Sequence, residues 1–263
     1  MRIALVPLKI KPKSPAENLR RLKARLAAIA DIQPDLIVLP ECALTGYVYE
    51  KGDFDQFAEP LSGPTVSALE RLARRYRTYI CFGMIEQAGA QVYDSGVVLN
   101  REGQIVLVQR KLSEKPPFQT GSRAEVAETE LGKMALLICG DLFHADAVMQ
   151  LPDDLDWVLV PMARAFAGQS PDKGRCESEG RAEYLNAVRA TGKMAFLVNA
   201  LDEGIEEPSF GGAMVANGNG DLLAESPHGS DEVLLYELWC GLTPAAADSG
   251  YAARESGRDL QSE

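Results

Sequence analysis

The chain has 263 residues, 46% hydrophobic and 25% charged, which suits one large globular domain and includes no apolar run long enough to span a bilayer. Its 27 basic against 38 acidic side chains give a net charge of −11, which repels phosphate backbones and anionic lipid and argues against nucleic acid or membrane as partners. Five scattered cysteines without a CxxC pair, and only two histidines, argue against a disulfide scaffold, a zinc ribbon or a His-rich centre, so no metal or cofactor is expected.

The opening "RIALVPL" (2–8) reads as a strand and not as a leader peptide, so the expected location is the cytoplasm. "SPAENLRRLKARLAAIA" (14–30) predicts a helix with Ser14 as N-cap, Pro15 at the first helical position and Glu17 closing a capping box. Leu19, Leu22, Leu26 and Ile29 form its apolar stripe. "DLIVLP" (35–40) is a short buried strand, which makes the opening a βαβ unit. A second helix over roughly 64–77 carries Val66, Leu69, Leu72 and Tyr76 on one face. "TYICFGMIE", "VYDSGVVLN" and "QIVLVQRKL" are strands, the last two joined by a hairpin-like turn at "REG". "KMALLIC" (133–139) and "DWVLVP" (156–161) are continuously apolar, the pattern of strands covered on both faces. A helical segment over 175–191 leads to the strand "KMAFLVNA", a hairpin through "GNG" and a final strand "EVLLYEL". The expectation is one α/β domain over 1–240, with 241–263 a small, polar tail that is mobile or docks a partner.

Three strands run into a reactive group where they leave the core. "DLIVLPE" presents Glu41, "QIVLVQRK" presents Lys111, and "ALLICGD" presents Cys139 with Gly140 behind it. Strand ends form the rim on which layered α/β folds build active sites. A carboxylate can take a thiol's proton, and an ammonium can hold both that carboxylate and a developing oxyanion, so the three make a workable hydrolytic set.

These segments resemble the nitrilase superfamily of carbon–nitrogen hydrolases, whose order is a glutamate in an "LPE" turn, a lysine in an "RK" turn and a cysteine in an "IC-x-D" turn. "DWVLVP", "AVRATGKMAFLVNA" and "FGGAMVANGNGDLLAESPHG" are similar to further family segments in the same order. The resemblance implies a four-layer α-β-β-α sandwich, usually dimeric, that works without a cofactor on a small-molecule amide or nitrile. It implies Cys139 as nucleophile, Glu41 as proton acceptor and donor, and Lys111 with the Gly140 N–H as oxyanion donors. Family members often carry a second glutamate after the lysine, and Glu114 is the only carboxylate between Lys111 and Gly121. Where many members read R-F-P-E after the cysteine, this chain has Phe143, His144, Ala145 and Asp146, so Phe143 and His144 are candidates for a different substrate pocket. Asp146 is the candidate to stand in for the missing glutamate.

Each residue also has a plainer reading. A cysteine on an apolar strand is usually a packed thiol, a glutamate in a loop is usually solvated, and a basic pair after a strand usually faces water. Their joint order outweighs those readings. Cys42 and Cys81 are expected to be packing residues, Cys176 and Cys240 to be inert, and Asp141 to anchor the nucleophile loop through backbone hydrogen bonds. "GNG" opens no helix, so nucleotide binding is rejected. The function expected is an amidase releasing ammonia and an acid through a cysteine thioester. Carbamoyl-amine hydrolysis, nitrile hydrolysis or acyl transfer would use the same chemistry, and a catalytically idle binding protein on this fold is the alternative from another class. A site thiol beside an ammonium is expected to have a depressed pKa and to alkylate fast near neutrality.

Overall fold

The computed structural model describes residues 1–48, 50–165, 179–204 and 208–238. Its elements in chain order are β1 (Arg2–Leu5), β2 (Lys9–Ile10), α1 (Pro15–Ala28), β3 (Leu36–Val38), α2 (Lys51–Phe57) and α3 (Pro64–Tyr76). Next come β4 (Tyr79–Ala88), β5 (Gln91–Leu99), β6 (Ile105–Arg110), β7 (Val126–Thr129), β8 (Gly132–Leu136), α4 (Ala145–Val148) and β9 (Trp157–Met162). The last are α5 (Arg181–Thr191), β10 (Met194–Asn199), β11 (Leu201–Asp202), β12 (Ala213–Ala216), β13 (Leu222–Glu225) and β14 (Leu234–Glu237). The expected start of the helix before 179, Cys176, Cys240 and the tail over 241–263 lie outside the described residues.

Two six-stranded sheets, ordered β14-β1-β3-β4-β5-β6 and β13-β12-β10-β9-β8-β7, stack face to face. Strand periodicity assigns the layers, because successive side chains point to opposite faces. Ile3 and Leu5 of β1 join Leu136, Leu159 and Phe196 of the other sheet in the core between the sheets. Ala4 faces outward instead, with Leu22 and Leu26 of α1 and Val66 and Leu69 of α3. On the far side, Val158 of β9 packs with Tyr184 and Val188 of α5. The result is the four-layer α-β-β-α sandwich.

β1, β3 and β4 run parallel, with α1 and α3 as their crossovers, while β4, β5 and β6 form an antiparallel meander. β14 returns to pair with β1, with Ile3 opposite Tyr236, so the last described strand closes the edge of the first sheet. One local expectation is overturned at the start of α1. Ser14 is the N-cap, but its side chain makes no capping bond, and Glu17 instead pairs with Arg21 at 2.7 Å and Lys11 at 3.3 Å. Asn18 does the tethering: fully buried, it accepts from the Lys11 N–H at 2.9 Å and donates to the carbonyls of Lys11 and Leu44, both at 2.8 Å. A carboxylate with two cations within reach gains more from them than from one backbone N–H, so the box does not form.

Candidate active site

The carboxyl ends of β3, β6, β8 and β9 are followed by the turns that carry Glu41, Lys111, Cys139 and Ala163. Glu41 is held from below by β4. The Gly83 N–H donates to the Pro40 carbonyl and the Ala43 N–H to the Gly83 carbonyl, each at 3.0 Å. A Cβ on Gly83 would stand 2.5 Å from the Glu41 Cα and 2.6 Å from the Cys42 nitrogen, so only glycine admits this approach. Gly83→Ala is therefore expected to displace the Glu41 turn, costing about 1–3 kcal/mol of stability from overpacking. A lowered melting temperature together with lost turnover would show it.

The two turns bearing Lys111 and Cys139 are tied by one residue, as expected of Asp141. Fully buried, its carboxylate accepts from the N–H groups of Ser113 at 2.8 Å, Leu112 at 3.0 Å and Ile138 at 3.2 Å. Cys139 opens a 3₁₀ turn over Cys139–Phe143 with φ of 47°, in the left-handed region that a side chain rarely adopts. In the structure the left-handed residue is the cysteine itself, and a Cβ on Gly140 would meet nothing closer than Ser113 Oγ at 3.2 Å. Such conformations cost about 1–3 kcal/mol and persist where the surroundings over-determine them. Here Asp141 does so.

The three residues meet. Lys111 Nζ lies 2.7 Å from Glu41 Oε1, the other Glu41 oxygen accepts from the Ala163 N–H at 2.7 Å, and the Cys139 thiol lies within electrostatic reach of both Glu41 and Lys111. Glu114 also belongs to the cluster: its Oε2 is 2.7 Å from Lys111 Nζ and accepts from the Tyr47 hydroxyl at 2.5 Å. Tyr47 sits in a loop with no pattern to mark it, and sequence reading misses it. It also misses Asp94, a fully buried residue of β5 whose Oδ2 is 3.1 Å from Lys111 Nζ. Among the described residues, Glu41, Asp94 and Glu114 form the one group whose spacing suits a cation, and the Lys111 ammonium lies within ion-pair distance of all three.

Burial raises the Glu41 carboxyl, but the charge of Lys111 and its hydrogen bond outweigh it and leave the group below its ordinary value. Burial lowers Lys111, yet the charge of Glu41 reverses this and holds it charged. The thiol departs from expectation. Burial and the Glu41 charge push Cys139 up by more than Lys111 pulls it down, so the resting group keeps its proton and should alkylate slowly near neutrality. The ammonium that was to stabilise a thiolate is already neutralised by carboxylates.

The residues beyond Gly140 are arranged differently. Phe143 is partly buried, 5.8 Å from the Tyr184 ring, with the Arg164 guanidinium 4.0 Å over its face. Arg164 follows Ala163 directly; its N–H donates to Asn199 Oδ1 at 2.8 Å, and its side chain pairs with Glu183 at 2.6 Å. His144 and Asp146 are exposed at the start of α4. Neither makes any of the contacts holding Glu41, Lys111 or Cys139, which leaves Asp146 a surface acid and Glu114 in the place foreseen for the second carboxylate. Cys42 and Cys81 are fully buried, the first among Val48, Phe54, Ile85 and Phe118, the second between the sheets.

Comparison with known proteins gives the family. The family model for carbon–nitrogen hydrolases matches residues 2–246. An (R)-stereoselective amidase of Pseudomonas sp. is 29% identical over 89% of this chain and 82% of its own length, and a probable nitrilase of Schizosaccharomyces pombe is 28% identical over 76% and 84%. Among solved structures, an amidase from Nesterenkonia sp. AN1, with acrylamide added to its active-site cysteine, superposes with a TM-score of 0.76 at 20% identity, covering 90% of this chain and 93% of that one. Over nearly its whole length, therefore, the chain belongs to the carbon–nitrogen hydrolase family.

Proposed function

We propose that the protein is a thiol-dependent amidase, hydrolysing a small non-peptide amide to ammonia and a carboxylic acid through a thioester on Cys139. The observation that carries this reading is the Cys139 thiol set beside a buried carboxylate, Glu41, which is itself fixed by Lys111 and the Ala163 N–H. As the Cys139 sulfur attacks the substrate carbonyl, its proton passes to Glu41 Oε. The carbonyl oxygen becomes an oxyanion facing the Lys111 ammonium and the Gly140 N–H. Protonated Glu41 gives the proton to the amide nitrogen, the C–N bond breaks and ammonia leaves. Water then adds to the thioester, losing a proton to Glu41; the C–S bond breaks, and the sulfur recovers that proton as the acid departs. A preorganised oxyanion donor is worth about 3–4 kcal/mol of barrier.

A resting thiol suits this sequence, because proton transfer is then coupled to C–S bond formation and an idle thiolate is not exposed to oxidants. Carbamoyl compounds and nitriles can follow the same route, and amines in place of water would give acyl transfer. The test is ammonia release from a panel of small amides, carbamoyl compounds and nitriles. The panel includes amides carrying a carboxylate, because the Arg164 guanidinium lies on the Phe143 ring beside this turn. Turnover of at least one amide, with an acyl increment trapped on Cys139, is expected. A wild-type protein that neither releases ammonia nor acquires the increment across the panel contradicts the reading.

A further inference from the structure

Three acids crowd one ammonium where water is almost excluded. Glu41 is 1% exposed, Asp94 0%, Lys111 7%, and the Glu114 side chain 10%. With all four ionised the cluster would carry two uncompensated negative charges, which a buried site tolerates poorly. Carboxylates sharing a site do not all ionise; one keeps a proton.

The hydrogen-bond partners say which. Both Glu41 oxygens accept, one from Lys111 and one from the Ala163 N–H, each at 2.7 Å. Glu114 accepts from Tyr47 at 2.5 Å on one oxygen and from the Lys115 N–H at 2.9 Å on the other. Every oxygen of these two carboxylates therefore already accepts a hydrogen bond. Among the described residues no backbone N–H reaches the Asp94 carboxylate: Oδ1 has the weak Cys42 thiol at 4.0 Å, and Oδ2 lies near Lys111 Nζ without hydrogen-bond geometry. We propose that Asp94 is a positioning residue that acts as a neutral acid, donating its proton to Glu41 and thereby fixing the base against Lys111. The direction of its titration agrees, since burial and the Glu41 charge hold Asp94 well above the ordinary aspartate value. The groups facing it are Glu41, Cys42, Tyr47, Lys111 and Glu114, with Cys139 reached through Glu41.

This inference rests on the amidase reading only in taking Glu41 as the base, and its tests separate the two. At neutral pH the wild-type protein should show a protonated-carboxyl band in the infrared, shifted in deuterium oxide and lost in Asp94→Asn. That readout needs no substrate. Because the unfolded aspartate ionises above about its ordinary value while the folded one keeps its proton, Asp94 favours folding in acid and loses that contribution as pH rises. The melting temperature of Asp94→Asn relative to wild type should therefore climb with pH above the ordinary aspartate value of 3.8.

On a substrate found by the panel, Asp94→Asn, which keeps an N–H donor and the shape, should retain kcat within about tenfold, whereas Asp94→Ala should lose about 10²-fold through a misplaced base. An unfolded Asp94→Ala leaves the infrared and Asp94→Asn measurements to decide. A wild-type spectrum unchanged by Asp94→Asn, or Asp94→Asn as inactive as Cys139→Ala while folded, overturns the proposal. A band lost in Asp94→Asn with no turnover in wild type counts against the amidase reading alone.

Discussion

Cys139→Ala is expected to lower kcat by at least about 10⁴-fold, the scale on which covalent catalysis fails when its nucleophile is removed. The same variant should melt within about 3 °C of wild type. The second half makes the first interpretable. Position 139 sits at φ of 47°, where any residue with a Cβ is strained, so alanine adds no backbone penalty that cysteine did not already bear. The turn is held by Asp141 through the N–H groups of Ile138, Leu112 and Ser113, and none of those bonds involves the sulfur. What alanine removes is the sulfur beside Glu41, and Glu41 keeps Lys111 and the Ala163 N–H. Turnover is measured as ammonia release, with stability followed by thermal denaturation. Substantial ammonia release by folded Cys139→Ala would mean that the thiol is not the nucleophile, and the acyl-enzyme route would fall with it.

Glu41, Lys111 and Cys139 are legible in the sequence because each follows an apolar strand, where a polar residue cannot be continuing the core. Asp94 follows no such break. It lies inside "VYDSGVV", where the adjacent polar pair Asp94–Ser95 gives no alternation to assign a face, and only the pairing of β5 between β4 and β6 turns it toward Lys111. Tyr47 and the Ala163 N–H are loop contributions, and a backbone donor leaves no trace in residue identity. Periodicity made an α/β domain with helix-covered sheet readable, while the four-layer stacking was implied by the family resemblance; in the structure Ile3 and Leu5 go to one face and Ala4 to the other, as a strand requires. The capping box at Ser14 misled because the rule compares only neighbours in sequence, and Asn18 reaches Leu44, which is 26 positions away. The thiol's titration misled for a related reason. A lysine beside a cysteine lowers its pKa only while the ammonium is unshared, and three acidic side chains share this one.

Glu41→Gln should reduce kcat by about 10³-fold or more, within the range for loss of a general base and larger if the base acts in both half-reactions. Glutamine matches glutamate in shape but not in donors. Both Glu41 oxygens accept at 2.7 Å, from Lys111 Nζ and from the Ala163 N–H, so either placement of the amide NH₂ sets a donor against a donor. The charge count changes as well. With position 41 neutral, Lys111 faces only Asp94 and Glu114, and Asp94 can ionise without adding to the net charge of the wild-type cluster. Glu41→Gln should therefore lose the protonated-carboxyl band assigned above to Asp94, a coupling that mere misfolding of the turn would not produce. In the wild-type protein, Glu41 lies below its ordinary value of 4.5 and Cys139 above its ordinary value of 9.0, so the base remains ionised and the thiol protonated between them. The pH profile of kcat/KM should be flat across neutrality, falling on the acid side only below the ordinary glutamate value. Folding stability contributed by Glu41 should disappear over that same acid range, because a depressed carboxyl contributes above its unfolded pKa and loses that contribution as it protonates. An acid limb centred near neutrality would require a Glu41 that holds its proton in the resting site, which is incompatible with a carboxylate bonded to Lys111 and poised to accept from Cys139.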